Sequence, residues 1–191
     1  MATPLILASA SPRRRELLKQ IHITPDDICP ADINEDHEKA ELPRDYVKRI
    51  ALGKAQHIRK SKSDSFILSA DTTVACGRRI LPKAEDEQTA RDCLKLLSGR
   101  RHKVLGGIAL ITPEGKEIYR LSETTVKFKR LSPQDIEAYI TSKEWDGKAG
   151  GYAIQGLAAS YINFISGSYS NVVGLDLFQT RQLLKGNGYA K

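Results

Sequence analysis

The chain has 191 residues, of which 40% are hydrophobic and 28% are charged, a composition that predicts a soluble globular protein with one domain over residues 1–191. It argues against a membrane-spanning helix and a secretion signal, because no apolar run approaches the necessary length and the apolar segment near the N-terminus is short. The formal net charge of +7 favours an anionic partner, and leaves nucleotides, nucleic acids and membrane surfaces open.

The first part of the chain alternates between apolar runs, which predict strands, and amphipathic stretches, which predict helices. In chain order these are a strand over 5–8, a helix over 12–19, an extended segment over 28–33, a helix over 43–60 and a strand over 66–70. The first helix has a clear start, because Ser11 suits the N-cap and Pro12 suits the first helical position. The strand over 66–70 is continuously apolar, so we expect it to be central.

The second part of the chain is predicted to contain two hairpins, three helices and a further strand. In chain order these are a hairpin of 74–76 with 79–81, a helix over 86–97, a hairpin of 104–112 with 118–129, a helix that starts at 132–133, a loop over 147–151, a strand over 161–165 and a helix over 175–185. The mixture predicts an α/β fold with a long central sheet.

The start of the first predicted helix carries an unusual concentration of positive charge. Arg13, Arg14 and Arg15 fall in its first turn, where the helix dipole favours acidic residues. A bound anion would explain them, because free backbone N–H groups and guanidinium forks together bind phosphate. The alternative is a solvated basic helix start, and this motif alone does not decide between the two.

Lys54 and Asp71 are the next candidates. Lys54 falls on the apolar stripe of the helix over 43–60, where a lysine must pair with an acid, extend its ammonium to solvent or serve a site. Asp71 directly follows the predicted central strand, and ligands of open α/β sheets bind at the carboxyl ends of strands. Such an aspartate suits a metal ligand or a general base, and the alternative is a turn residue. Lys83, in the predicted loop beyond, is unremarkable by itself.

Glu35 and Gln155 lie in predicted loops. Glu35 belongs to an acidic run over 32–36, and Mg²⁺ commonly binds one or two carboxylates together with phosphate oxygens. Gln155 follows a glycine-rich stretch and precedes another glycine, which would let a ligand approach the backbone, and its carboxamide could pair with the edge of a base. The alternatives are a solvated charged loop and a flexible polar loop.

The cysteines and histidines indicate no metal or disulfide framework. Cys29, Cys76 and Cys93 are odd in number, widely spaced and outside any CxxC pattern, and the four histidines share no ligand spacing. We therefore expect the reducing environment of the cytoplasm.

Taken together, these segments resemble the Maf family of nucleoside triphosphate pyrophosphatases over nearly the whole chain. The segments that carry the resemblance are 5–14, 54–55, 69–74, 81–83, 147–156 and 171–175. The resemblance implies an α/β fold like that of inosine triphosphatases, in which helices flank a two-lobed mixed sheet and a nucleotide cleft lies between the lobes. It also implies a homodimer that uses Mg²⁺, Mn²⁺ or Co²⁺ to hydrolyse nucleoside triphosphates to the monophosphate and pyrophosphate.

The resemblance also implies roles for individual residues. Asp71 would be the proton acceptor and would hold the metal together with Glu35. The phosphate-binding residues would be Ser9, Arg14, Lys54 and Lys83. The chain is similar to the branch of the family with Arg, Thr and Gln at three positions near the base, which here are Arg13, Thr72 and Gln155. This branch acts on dTTP and UTP, and we extend the expectation to CTP and modified pyrimidine triphosphates.

Three positions depart from the usual family pattern. Pro82-Lys83-Ala84 stands where the family reads Gly-Lys-Pro, so the loop with Lys83 could take another path. Asn34 stands where the family commonly has aspartate, which removes one possible metal ligand. Asp176 stands where proline is usual, and an aspartate is suitable near a helix start.

Two other functions remain open at this point. A nucleotide-binding regulator of septum formation or cell division would keep the arginine-rich helix start without needing Asp71. A nucleic-acid-binding module would use the net charge, but aromatic residues make up only 6% of the chain and do not interleave with the basic runs. We therefore expect no stable nucleic-acid partner.

Overall fold

The computed structural model describes residues 3–189, and a mixed sheet lies at its centre. In chain order the strands are β1 (Leu5–Leu7), β2 (Asp27–Ile28), β3 (Phe66–Cys76), β4 (Arg79–Leu81), β5 (Lys83–Ala84), β6 (Arg101–Ile111), β7 (Glu117–Phe128), β8 (Lys148–Ala149) and β9 (Ile162–Ser166). The helices are α1 (Pro12–Gln20), α2 (Pro43–Arg59), α3 (Glu87–Leu97), α4 (Pro133–Ser142), α5 (Tyr169–Val173) and α6 (Leu177–Gly186).

The large sheet has seven strands in the order β2-β1-β3-β6-β7-β9, with β4 paired to β3. The pairs β2–β1 and β1–β3 are parallel, whereas β3, β6, β7 and β9 pair antiparallel. The two short strands β5 and β8 form a separate antiparallel ladder. The predicted mixed α/β fold is therefore confirmed.

Strand β3 positions the site, because one of its two edges is only partly paired with other strands. On one side it pairs with β6 almost throughout, including Asp71 opposite Gly107. On the other side, β1 pairs with residues 66–68 and β4 with residues 74–76. Within the described chain, no strand pairs with residues 69–73 on that side, and Asp71 lies in this gap. The prediction that the strand ends at Asp71 is wrong, because β3 pairs with β6 as far as Ala75 and with β4 as far as Cys76.

Helix α2 packs on one face of the sheet. Its predicted apolar stripe is confirmed, since the buried residues include Val47, Ile50, Ala51, Lys54, Ala55 and Ile58. The spacing of these residues follows the helical repeat, so burial of one stripe carries Lys54 inward with its neighbours. The opposite face of the sheet belongs to the main core, to which α3 contributes Ala90, Cys93, Leu94 and Leu97 as predicted.

Several short elements were not predicted from the sequence. The segment over 28–33 has no regular structure beyond Ile28, and the predicted loops at Lys83 and 147–151 contain β5 and β8. The helix predicted over 175–185 begins instead at an N-cap, Asp176, whose side chain accepts a hydrogen bond from Gln179 N at 3.0 Å. The strands β5 and β8 have two residues each and depend on pairing with each other more than on local propensity. The sequence of either segment alone therefore does not predict them.

Within the described part of the chain, every helix is too short or too polar to cross a bilayer.

Candidate active site

A cavity of about 600 Å³ opens at the gap beside β3. Its walls come from the β1–α1 turn, the segment after β2, α2, β3, β5, residues 147–155 and the end of α5. All of the residues predicted from the sequence to form the site line this one cavity: Ser9, Arg13, Arg14, Glu35, Lys54, Asp71, Thr72, Lys83 and Gln155. Residues up to 146 positions apart in the chain therefore meet at one place, which local patterns could not establish.

A buried lysine connects the two acidic residues of the cavity. Lys54 Nζ lies 2.8 Å from Glu35 Oε1 and 3.0 Å from Asp71 Oδ1, and Lys83 Nζ lies 3.0 Å from Glu35 Oε2. Lys54 is 8% exposed and Asp71 5% exposed, so this ion pair is shielded from water. Of the alternatives for Lys54, extension of the ammonium to solvent is wrong.

The charge of Glu35 is stabilised by these contacts. Partial burial acts to raise the pKa of the Glu35 carboxyl, but the hydrogen bonds and charges of Lys54 and Lys83 outweigh it and hold the pKa below its ordinary value. Glu35 is therefore a carboxylate at neutral pH. Lys83 lies next to Glu35 in the cavity, although Pro82 and Ala84 depart from the family pattern. These departures therefore do not move Lys83 away from the cavity.

Arg14 is held as a rigid fork. Its Nε donates to the Gly174 carbonyl at 2.9 Å, one terminal nitrogen donates to Ser9 Oγ at 2.8 Å, and the other donates to Thr72 Oγ1 at 3.2 Å. These acceptors are neutral, and each terminal nitrogen carries a second N–H for a further partner. Burial lowers the pKa of the Arg14 guanidinium, and the nearby Asp71 carboxylate opposes this effect. A buried cation with neutral partners is suited to an anionic ligand.

The start of α1 leaves backbone donors available beside this fork. Ser11 occupies the N-cap position and Pro12 follows it as predicted, but within the described structure the Ser11 side chain makes no capping hydrogen bond. The amide groups of the first turn are therefore free to bind an anion. Arg13, half-buried next to them, has an Nε atom with no hydrogen-bond partner among residues 3–189.

The glycines on the two sides of Gln155 have a different role from the predicted one. Gly150 has φ +67°, and a Cβ there would meet Val74 Cγ1 at 2.8 Å; a Cβ at Gly156 would meet Glu144 Oε2 at 2.0 Å. The atoms that approach these glycines therefore belong to the protein itself, namely to Val74 of β3 and to Glu144, which follows α4. Close packing makes this segment a fixed wall of the cavity, with Gln155 exposed on it.

Sequence reasoning missed two contributors to the cavity. Gly174 acts through its carbonyl oxygen, which a sequence pattern cannot assign. Lys148 lines the cavity in the same segment as Gln155, and burial together with the charge of Arg13 lowers its pKa. The only indication of Lys148 in the sequence was that it falls within residues 147–156, one of the segments that carry the family resemblance.

The two predicted metal ligands, Glu35 and Asp71, lie close together in the cavity. Glu35 and Asp71 both contact the Lys54 ammonium, so the two carboxylates converge on a single cation position. Among the described residues, no group of three or more His, Cys, Asp and Glu side chains could hold a metal ion without other ligands. The donor set fits a divalent cation that receives its remaining oxygens from a phosphate and water.

The chain is similar to known proteins over nearly its whole length. The model of the family described as Maf-like protein matches residues 4–187. A dTTP/UTP pyrophosphatase of Paramagnetospirillum magneticum is 60% identical over 97% of this chain and 98% of its own length. A dTTP/UTP pyrophosphatase of Zymomonas mobilis is 54% identical over 99% of this chain and 94% of its own length. The solved structure of a HAM1 protein from Coxiella burnetii shares the fold, with a TM-score of 0.56 at 16% identity over 97% of this chain and all of that chain.

Proposed function

The chain belongs to the Maf family, and from this premise we propose that it hydrolyses dTTP and UTP to the monophosphates and pyrophosphate. The observation that carries the proposal is the cluster of buried Lys54 and Asp71 with half-buried Glu35, in a cavity whose other charged lining residues are all cations. Phosphoryl transfer depends mainly on positioning and on neutralising charge, and this cavity supplies both.

The triphosphate is assigned to the cationic wall of the cavity. Arg14 offers its remaining N–H groups from a fixed position, and the first-turn amides of α1 add backbone donors beside it. Lys54 and Lys83 are assigned to the phosphates nearer Glu35. Ser9 acts mainly by holding Arg14, because its Oγ accepts a hydrogen bond from that guanidinium.

Asp71 is assigned the role of general base. Water attacks the α-phosphorus, the bond from that phosphorus to the bridging oxygen breaks, and pyrophosphate leaves, while the carboxylate of Asp71 accepts the proton of the water. The Lys54 ammonium lies 3.0 Å from Asp71 Oδ1 and holds this carboxylate in position.

A divalent cation, Mg²⁺, Mn²⁺ or Co²⁺, is assigned to Glu35 and Asp71. When bound, it supplies positive charge that neutralises the phosphate oxygens. Glu35 and Asp71 would hold the cation, and Lys54, which contacts both carboxylates, would bind phosphate beside it.

Gln155, Thr72 and Arg13 are assigned to recognition of the base. A carboxamide has both a donor and an acceptor, which matches the N3–H and carbonyl edge of uracil and thymine. The proposal extends to CTP and modified pyrimidine triphosphates as weaker substrates. It also includes a single domain, a cytoplasmic location and a homodimer, the last of which light scattering after size exclusion would test.

The deciding experiment is a screen of nucleoside triphosphates with Mg²⁺, Mn²⁺ and Co²⁺ that measures pyrophosphate and phosphate release separately. The proposal predicts pyrophosphate from dTTP and UTP, and no activity without metal. Tight nucleotide binding without turnover would instead support a regulator of cell division.

A further inference from the structure

Glu35 lies on a long segment that has little regular structure. This segment, residues 29–42, connects β2 to α2 and is called the Glu35 loop below. Inside it, Asn34 Oδ1 accepts a hydrogen bond from Asp36 N at 2.7 Å, which forms a local turn. Asn34 is thus a turn residue here. One local turn cannot fix Glu35 between two lysines, so other contacts must hold the loop.

Two residues of α2 hold the backbone on either side of that carboxylate. Tyr46 Oη donates to the Glu35 carbonyl at 3.0 Å, and an Arg49 terminal nitrogen donates to the Asp36 carbonyl at 2.8 Å. Tyr46 and Arg49 are three positions apart and therefore lie on the same side of the helix.

Arg49 also binds the far end of the same loop. Its Nε and one terminal nitrogen each lie 2.7 Å from a carboxylate oxygen of Glu41, whose side chain is 7% exposed. The guanidinium lies over the Tyr46 ring, 5.6 Å from the centroid. One side chain thus joins Asp36 and Glu41 to α2, and it does so outside the cavity, because neither Arg49 nor Tyr46 lines it.

We propose that Arg49, assisted by Tyr46, is a positioning residue that holds the Glu35 carboxylate between Lys54 and Lys83. The inference rests on the proposed function of this site. Helix α2 carries Arg49, Tyr46 and Lys54, so a single rigid element fixes both the carboxylate and the ammonium that meets it. Without this support the Glu35 loop moves away, and the cation position loses one of its two carboxylates.

The chain offers a matched control on the same helix. Arg44 forms a similar bidentate ion pair, with Glu123 of β7, at 2.7 and 3.0 Å. Among residues 3–189, Arg44 makes no hydrogen bond or ion pair with the Glu35 loop, so Arg44→Met removes a bidentate ion pair from the same helix and leaves the loop in place. Tyr46→Phe removes only the hydroxyl that holds the Glu35 carbonyl.

The test compares Arg49→Met, Tyr46→Phe and Arg44→Met with the wild type by three measurements. Hydrogen exchange follows the Glu35 loop, calorimetry measures Mn²⁺ affinity in the presence of α,β-imido-UTP, and kinetics separates kcat from KM for UTP. We expect Arg49→Met to increase exchange in the loop, to weaken Mn²⁺ binding at least fivefold and to lower kcat at least tenfold, with a smaller change in KM. Tyr46→Phe should act in the same direction more weakly, and Arg44→Met should match the wild type.

Two results would overturn the inference. One is an Arg49→Met protein that equals Arg44→Met in all three measurements. The other is faster loop exchange with unchanged Mn²⁺ affinity and kcat, because Glu35 would then not need the support. If the wild type hydrolyses no triphosphate, the proposed function fails, while exchange and Mn²⁺ affinity still decide the role of Arg49. If Arg49→Met does not fold, Tyr46→Phe provides the same comparison.

Discussion

Lys54 and Asp71 form a buried ion pair between α2 and β3, with the Lys54 Nζ atom 3.0 Å from Asp71 Oδ1. The pair lies at the gap beside β3, so its charges face the cavity, and Glu35 contacts the same ammonium. Removal of one partner from a buried pair leaves an uncompensated charge, which typically costs about 3–5 kcal/mol. Because this pair lines the cavity, a bound phosphate can take the place of Asp71 beside Lys54, and a bound cation can take the place of Lys54 beside Asp71.

Arg14→Ala is expected to weaken UTP binding about ten- to a hundredfold and uridine binding far less, because a hydrogen bond to a charged group contributes roughly 1.5–3 kcal/mol. Isothermal titration with both ligands measures the difference. Arg15→Ala is the control, since Arg15 is the next residue, has the same charge and is exposed outside the cavity. Equal losses for UTP and uridine would show that Arg14 does not contact phosphate.

Gln155→Glu is expected to lower kcat/KM for UTP by about ten- to a hundredfold. The substitution replaces a donor with an acceptor and sets a carboxylate against a base carbonyl, a mismatch that costs about 1–3 kcal/mol. The assay compares UTP, dTTP, CTP and GTP with one metal. A uniform decrease across the four would assign Gln155 to folding or phosphate binding, and an unchanged preference for UTP would remove it from base recognition.

His102 makes the stability of the fold depend on pH. It is 2% exposed, its Nε2 lies 2.8 Å from Tyr152 Oη, and burial lowers its pKa to about 4. The unfolded chain, with a pKa of about 6.5, holds more protons between these values, so stability falls as the pH falls through this window, by up to about 3 kcal/mol. Urea unfolding at pH 7 and pH 4.5 should show a smaller difference for His102→Gln than for the wild type. An equal difference would mean that His102 does not titrate in this window.

Gly106 is required for the packing of α5 against the sheet. A Cβ at this position would lie 1.9 Å from Asn171 Oδ1, and Asn171 is fully buried. Gly106→Ala should therefore lower the free energy of unfolding by about 1–3 kcal/mol, and raise KM because α5 leads to the Gly174 carbonyl that holds Arg14. Gly186→Ala is the control, since among residues 3–189 no heavy atom outside its own stretch of helix lies within 4 Å of the added Cβ. A Gly106→Ala protein as stable as the control variant would contradict this account.

Periodicity predicted the parts of the site that lie on regular elements. The helical repeat of α2 placed Lys54 among buried residues, and the apolar run before Asp71 identified the central strand. The gap beside β3 could not be predicted, because it depends on where β1 ends and β4 begins to pair. The position of Glu35 could not be predicted either, since it depends on tertiary contacts of Arg49 with Asp36 and Glu41.

The resemblance supplied what local patterns could not, namely that nine separated residues meet in one cavity. The glycines near Gln155 were misinterpreted, because a missing side chain allows the close approach of either a ligand or another part of the protein. The resemblance also gave no role to the Gly174 carbonyl, whose position depends on how α5 packs.

The central claim is that Asp71 serves hydrolysis of dTTP and UTP, and pyrophosphate release by Asp71→Asn with UTP and Mg²⁺ tests it most directly. The substitution keeps the size of the side chain and removes the base, so we predict a fall in kcat of about 10³-fold or more with a UTP dissociation constant within a few-fold of the wild type. Wild-type turnover by Asp71→Asn would contradict the claim.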